Sequence, residues 1–280
     1  MATVLSLNSE TTHRNAHRQL VPGVRIGELR DDVPLPISLP GVHQVAQRMV
    51  NDLPRGQLVE LGAGEGAFCQ WAAREKFDVT ALEIDPNIFR ASGIECVPAD
   101  LNQTVPLPDT CCDVAVAMDI VEHLENPFQL LREMARILRP GGRAILSTPN
   151  EHNLANRLTY FTTGFYGDSR KVLDEHDPQL PMKHVNMVPP SQLEFIWRKA
   201  GLELERVEVS RHRALAWLML PVFWPLQSLK YWSKIRATGD AAARKRCQTA
   251  YAFLNSLPLQ VGRVILCQLR KPHTSISNIQ

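Results

Sequence analysis

Apolar residues recur along this chain in two alternating patterns, one helical and one strand-like. Val42, Val45, Ala46, Met49 and Val50 stand at helical spacing and predict an amphipathic helix. Pro54 and Gly56 close it, and Leu58 to Leu61 read as the first strand. A glycine-rich turn follows, Gly62-Ala63-Gly64-Glu65-Gly66, after which Phe68, Trp71 and Ala72 mark one face of a helix. Val79 to Ile84 reads as a second strand with acids at its end, Glu83 and Asp85; Pro86 opens a short helix with Asp85 as its N-cap. Ile94 to Val97 is a third, short strand that leads to Asp100. Val114 to Met118 is apolar throughout, as suits a strand covered on both faces of a parallel sheet. Asn126-Pro127 predicts a helix start that carries Phe128, Leu131, Met134 and Leu138 inward. Pro140-Gly141-Gly142 stops it before a strand at Ala144 to Leu146.

Residues 150–189 show no clear periodicity and are rich in His, Asp, Pro and Tyr, which predicts a binding or lid loop. Ser191 to Glu194 has the spacing of a capping box; Leu193, Ile196 and Ala200 then face the core, and Gly201 ends the helix. Leu202, Leu204, Val207 and Val209 form a strand whose alternation slips once, the mark of a bulge. Val261 to Leu269 is the last strand. The order of elements predicts an α/β fold built on a doubly wound parallel sheet.

The 210–259 stretch stands apart. Leu215, Trp217, Leu218, Met219, Leu220, Val222, Phe223, Trp224 and Leu226 are interrupted by Pro221 and Pro225, with Tyr231 and Trp232 beyond. The flanking charges are mostly basic: Arg211, Arg213, Lys230, Lys234, Arg236, Arg244, Lys245 and Arg246 against Asp240. The stretch is too short and too broken to span a bilayer. Two uses remain open: a segment lying in a membrane interface, or a helical cap over the substrate pocket.

Composition changes this picture little. The net charge of +2 gives no reason to expect a nucleic-acid partner. Six cysteines without a CxxC pair read as reduced thiols, and no apolar segment opens the chain, so a cytoplasmic protein is expected, peripheral at a membrane if 210–259 docks there. Residues 1–40 read as a polar tail and a proline-punctuated lead-in, and 41–280 as one domain.

The chemistry is concentrated at the glycine turn. Glycines at alternate positions let a ligand approach the backbone, and the following helix offers free N–H groups. Gly62, Gly64 and Ala67 satisfy a dinucleotide fingerprint, with Glu83 placed for a ribose. Glu60 speaks against a dinucleotide, because a carboxylate there would repel a pyrophosphate; a cofactor carrying an ammonium and a sulfonium tolerates it. The blocks VELGAGEGAF (59–68), VTALEID (79–85), PADL (98–101), CDVAVAMDIVEHLENP (112–127), LRPGGRAILSTPN (138–150) and KAGLE (199–203), in this order and spacing, resemble those of class I S-adenosylmethionine-dependent methyltransferases. The branch they resemble is the small-molecule one, of the ubiquinone-biosynthesis O-methyltransferase type.

The resemblance implies a Rossmann-like methyltransferase fold with a seven-stranded, mostly parallel sheet; 210–259 becomes a helical insertion before the last strand and 150–189 the variable substrate loop. It implies S-adenosylmethionine as cofactor and a small or lipid-linked acceptor, methylated on oxygen. Glu60 with the backbone of Gly62 and Gly64 would meet the methionine end, Glu83 the ribose hydroxyls, and Asp100 the adenine amino group beside Leu101. Met118 would line the wall near the sulfonium. If the acceptor must lose a proton, the candidate bases are Asp119, His123 and His184. His152 and His176 read as exposed loop histidines, and Asp174 to Asp177 lack a ligand spacing, so no metal site is expected. An NAD-dependent oxidoreductase and a non-catalytic adaptor that keeps the fold are the competing readings.

Overall fold

The computed structural model describes residues 34–165, 176 and 183–273. The expected tail at 1–33 and the acids Asp174, Glu175 and Asp177 lie outside the described residues.

Seven strands form one sheet: β1 (Gln57–Leu61), β2 (Asp78–Glu83), β3 (Glu95–Pro98), β4 (Cys112–Met118), β5 (Leu138–Pro149), β6 (Glu203–Val209) and β7 (Val264–Arg270), in spatial order β3-β2-β1-β4-β5-β7-β6. The first five pair in parallel, and β7 inserts antiparallel between β5 and β6. The bulge expected in the sixth strand is present, between Leu204 and Arg206.

Alternation along the strands feeds two apolar layers. Val114 and Val116 of β4 and Val264 and Leu266 of β7 pack under helices α1 (Val42–Asn51) and α2 (Ala67–Arg74). Ala115 and Ala117, with Ile265 and Cys267, face the opposite layer. That layer holds helices α3 (Pro127–Ile137), α5 (Pro190–Lys199) and α7 (Ala241–Leu254). Burial on both faces explains why β4 and β7 read as continuous apolar runs. Asn126 caps α3 as expected: its side chain accepts from the N–H of Gln129 at 3.2 Å.

Four local expectations need correction. The capping box at Ser191 does not form: α5 already begins at Pro190, and Glu194 pairs with Arg198 at 3.1 Å instead. Leu138 is buried but belongs to β5, because the chain leaves the helix there and pairs with Cys112 before Pro140-Gly141-Gly142 is reached. Helix α4 (Leu154–Thr163) occupies part of the expected loop. Its buried side includes Asn156 as well as Leu154 and Ala155, which hides the apolar period.

The fourth correction is in the insertion, where Pro221 and Pro225 do not interrupt the helix. Helix α6 runs without a break over Ala214–Ala237. Each proline removes one backbone donor, but α6 is held on either side of them. Ala216 and Leu220 pack with Leu154, Ala155 and Val261, the last from the short helix α8 (Leu257–Val261). Between the prolines, Trp224 Nε1 donates to the Asn255 carbonyl at 2.8 Å, and beyond them Tyr231 stacks on Tyr251 of α7. Among the described residues no helix is long and apolar enough to cross a membrane.

Candidate active site

The order of the strands reverses at β1, with β2 on one side and β4 on the other, and ligands of open α/β sheets bind beyond the carboxyl ends of strands at such a point. The sequence-predicted cofactor residues all gather there. Gly62 to Gly66 connect β1 to α2. Gly62 has φ 77°, and a Cβ on it would stand 2.2 Å from Ile120 Cδ1. Gly66, at φ 86°, admits no side chain because Phe89 and Ala91 pack against it, so its role is close packing.

Glu60 ends almost fully buried, 2% exposed. The Cys69 thiol donates to its Oε2 at 2.8 Å. Burial is the main cause that pushes its carboxyl up to about 8; the hydrogen bonds from Cys69 oppose the shift and the charge of Glu83 adds to it. Near neutral pH the carboxyl of the empty site therefore keeps its proton, and a nearby ammonium is the kind of charge that would draw that proton off and stabilise the carboxylate.

Glu83 is clamped by the loop it serves. The N–H of Gly64 donates to Oε2 at 2.7 Å and that of Ile84 to Oε1 at 2.8 Å. A carboxylate offers about four acceptor positions, so both oxygens can still take a hydroxyl donor. The N–H of Ala99 donates to the Glu83 carbonyl at 2.9 Å, which sets Asp100 and Leu101 beside it. Asp100 is exposed, with Oδ1 accepting from the N–H of Asn102, while Leu101 is buried. Met118, 5% exposed, ends β4. This donor and acceptor set fits S-adenosylmethionine: an acid for the ammonium, glycines for close approach, an acid for the ribose and an acid at the far edge for the adenine amino group.

The candidate bases lie past Met118. Asp119 has φ 52°, and its side chain accepts from Ser147 Oγ at 2.5 Å and from the Leu39 N–H at 3.1 Å. Burial raises its carboxyl above the usual range. His123 and His184 come together with ring centroids 5.1 Å apart, edge to face. His123 Nδ1 lies 2.9 Å from the Lys183 carbonyl. Burial first, and then the neighbouring His184 imidazole, lower the His123 pKa to about 4, so it is neutral at pH 7.

Two acids here were not singled out from sequence. Glu122, 1% exposed, accepts from Thr148 Oγ1 at 3.1 Å, and burial followed by the Asp119 charge raises its carboxyl far above the usual range. Glu151 is buried as well and lines a cavity of about 240 Å³ with His152, Arg157, Tyr160, Pro189 and Pro190. The available signal was their place after strand ends, within the blocks at 112–127 and just after 138–150. His152 corrects its expectation: it is half-buried, and burial lowers its pKa to about 3. His176 is exposed, as expected.

Comparison with known proteins agrees with this geometry. The profile of the methyltransferase-domain family matches residues 40–207. A probable S-adenosylmethionine-dependent methyltransferase of Mycobacterium tuberculosis is 34% identical over 114 residues, which cover 39% of this chain and 41% of that protein. A ubiquinone biosynthesis O-methyltransferase of Xanthomonas oryzae is 24% identical over 165 residues, 56% of this chain and 66% of that protein. The chain thus spans about two fifths of the length of the mycobacterial relative. In fold it resembles the crystal structure of a candidate methyltransferase from Bacillus halodurans, with a TM-score of 0.51 at 20% identity, covering 81% of this chain and 98% of that one. The oxidoreductase reading finds no support among these relatives. With the family profile covering more than half of its length, the chain belongs to the class I S-adenosylmethionine-dependent methyltransferases.

Proposed function

We propose that the chain transfers the methyl group of S-adenosylmethionine to an oxygen of a small or lipid-linked acceptor. Glu60 carries the cofactor half of this reading: a buried acid at the glycine turn, with Oε2 held by the Cys69 thiol, is placed to give up its proton and pair with a ligand ammonium. The likeness to a ubiquinone biosynthesis O-methyltransferase supports oxygen and a lipid-linked acceptor.

When bound, S-adenosylmethionine supplies a methyl group already activated by a sulfonium. The chain's own task is then to position the reactants. Glu60 accepts from the ammonium, and Gly62 and Gly64 admit the methionine end to the backbone. Glu83 takes the ribose hydroxyls, Asp100 the adenine amino group beside Leu101, and Met118 forms the wall near the sulfonium. Asp119, His123 and His184 face the acceptor side, where a hydroxyl must lose its proton.

Helix α6 supports a membrane-surface location for the acceptor. Leu218, Val222, Leu226 and Leu229 are each more than half exposed, with Lys230, Lys234 and Arg236 on the same helix. An apolar helix that leaves these residues uncovered beside basic ones fits an interfacial segment better than a cap buried on its own domain.

Thermal shift tests the cofactor. S-adenosylhomocysteine should raise the unfolding midpoint, by about 2.7 kcal/mol of stability at a hundred times Kd. Stabilisation by NADH instead would sink the reading, and no binding at millimolar concentration would favour the adaptor. Glu83→Ala should weaken binding by roughly 1.5–3 kcal/mol in calorimetry. Radiolabelled methyl transfer into lipid and soluble fractions of an extract then assigns the acceptor class.

A further inference from the structure

We propose that Glu122, His123 and His184 form a site for a divalent first-row transition metal on the acceptor side of the cofactor cradle. One ligand atom from each lies within 4.8 Å of the others. Donors around a single such ion at ~2.0–2.2 Å stand up to about 4.4 Å apart, so small side-chain rotations close the set.

Two observations besides this proximity point to a cation. The first is the state of His123. A carbonyl can only accept, so the 2.9 Å contact with Lys183 places the proton on Nδ1 and leaves the Nε2 lone pair for a ligand. A backbone carbonyl behind the ring is the usual means of fixing a metal-binding histidine. The second is Glu122. Thr148 satisfies Oε2, whereas Oε1, buried with the rest of the side chain, has no donor among the described residues.

The tertiary structure assembles this set. His184 comes from a segment stapled to the turn after β4, where the Asn186 N–H donates to the Glu122 carbonyl at 3.0 Å and its side chain to the Leu124 carbonyl at 3.2 Å. Two imidazoles and one carboxylate suit Zn²⁺, Mn²⁺, Fe²⁺ or Co²⁺ better than Mg²⁺ or Ca²⁺. Three protein ligands leave open positions for water or an acceptor oxygen. The site thus deepens the methyltransferase reading, on which it rests only for the nature of that oxygen.

The full chain, without a histidine tag and stripped with chelator, is titrated with Co²⁺ and followed by visible absorption and calorimetry. The expected result is about one equivalent bound, displaced by Zn²⁺, with affinity at least roughly tenfold weaker in Glu122→Gln and in His184→Ala. Absence of binding to the wild type, or wild-type affinity in His184→Ala, overturns the proposal. Should Glu122→Gln fail to fold, the half-buried His184 decides. Neither cofactor nor acceptor is needed, so failure here leaves the methyltransferase reading standing, and failure to bind S-adenosylhomocysteine leaves the metal site standing.

Discussion

Glu60 shows at the scale of one residue how burial prepares a site. Between its ordinary value of 4.5 and about 8, the folded chain holds a proton that the unfolded chain releases. Stability therefore falls as pH rises through that window, and the penalty is complete above it. The groups that modulate it are Cys69 on α2 and Glu83 at the end of β2. Glu60→Gln keeps the shape and removes the penalty. In the ligand-free state its thermal midpoint, relative to wild type, should be higher at about pH 8.5 than at about pH 5. The same change should weaken S-adenosylhomocysteine binding by roughly tenfold or more, because a hydrogen bond to a charged group is lost. An equal midpoint difference at both pH values would refute the raised pKa.

At the scale of the element, α6 is unlike the other helices. Helix α1 buries an apolar stripe, Val42, Val45, Ala46, Met49 and Val50, whereas α6 buries Ala216 and Leu220 and exposes apolar residues on its remaining faces. Exposed apolar area of this extent marks an interaction surface. Wild-type chain should co-sediment with anionic vesicles, and replacement of Trp217, Phe223 and Trp224 by Ser should reduce that binding. Wild type remaining in the supernatant would rule out docking. Trp224 also bonds to Asn255, so circular dichroism of the variant must show that α6 and α7 still pair.

For the whole molecule, the candidate site hangs from the carboxyl edge of the sheet. Ile145 lies in β5, between β4 and β7, and is completely buried. Ile145→Ala should cost roughly 2–5 kcal/mol in urea unfolding. Leu218→Ala, at a position of α6 that is 78% exposed, should stay within about 0.5 kcal/mol. Comparable losses at the two positions would mean that α6 is covered in solution.

By itself the sequence determined most strands and the placing of the expected cofactor residues at their ends. Strand runs are short-range patterns, and Glu60, Gly62, Glu83, Asp100 and Met118 each sit at or just after a strand end, so the doubly wound order alone brings them to one edge. The tertiary structure decided what depends on distant neighbours. Pro221 and Pro225 argue for a break wherever helix propensity acts alone, but contacts to α4, α7 and α8 hold α6 continuous. His152 reads as an exposed loop residue, and only the fold half-buries it. Glu122 and His123 gain His184 only because Asn186 ties its segment to the turn after β4. Separation along the chain hides such a meeting, since no period or spacing records contacts that packing alone creates.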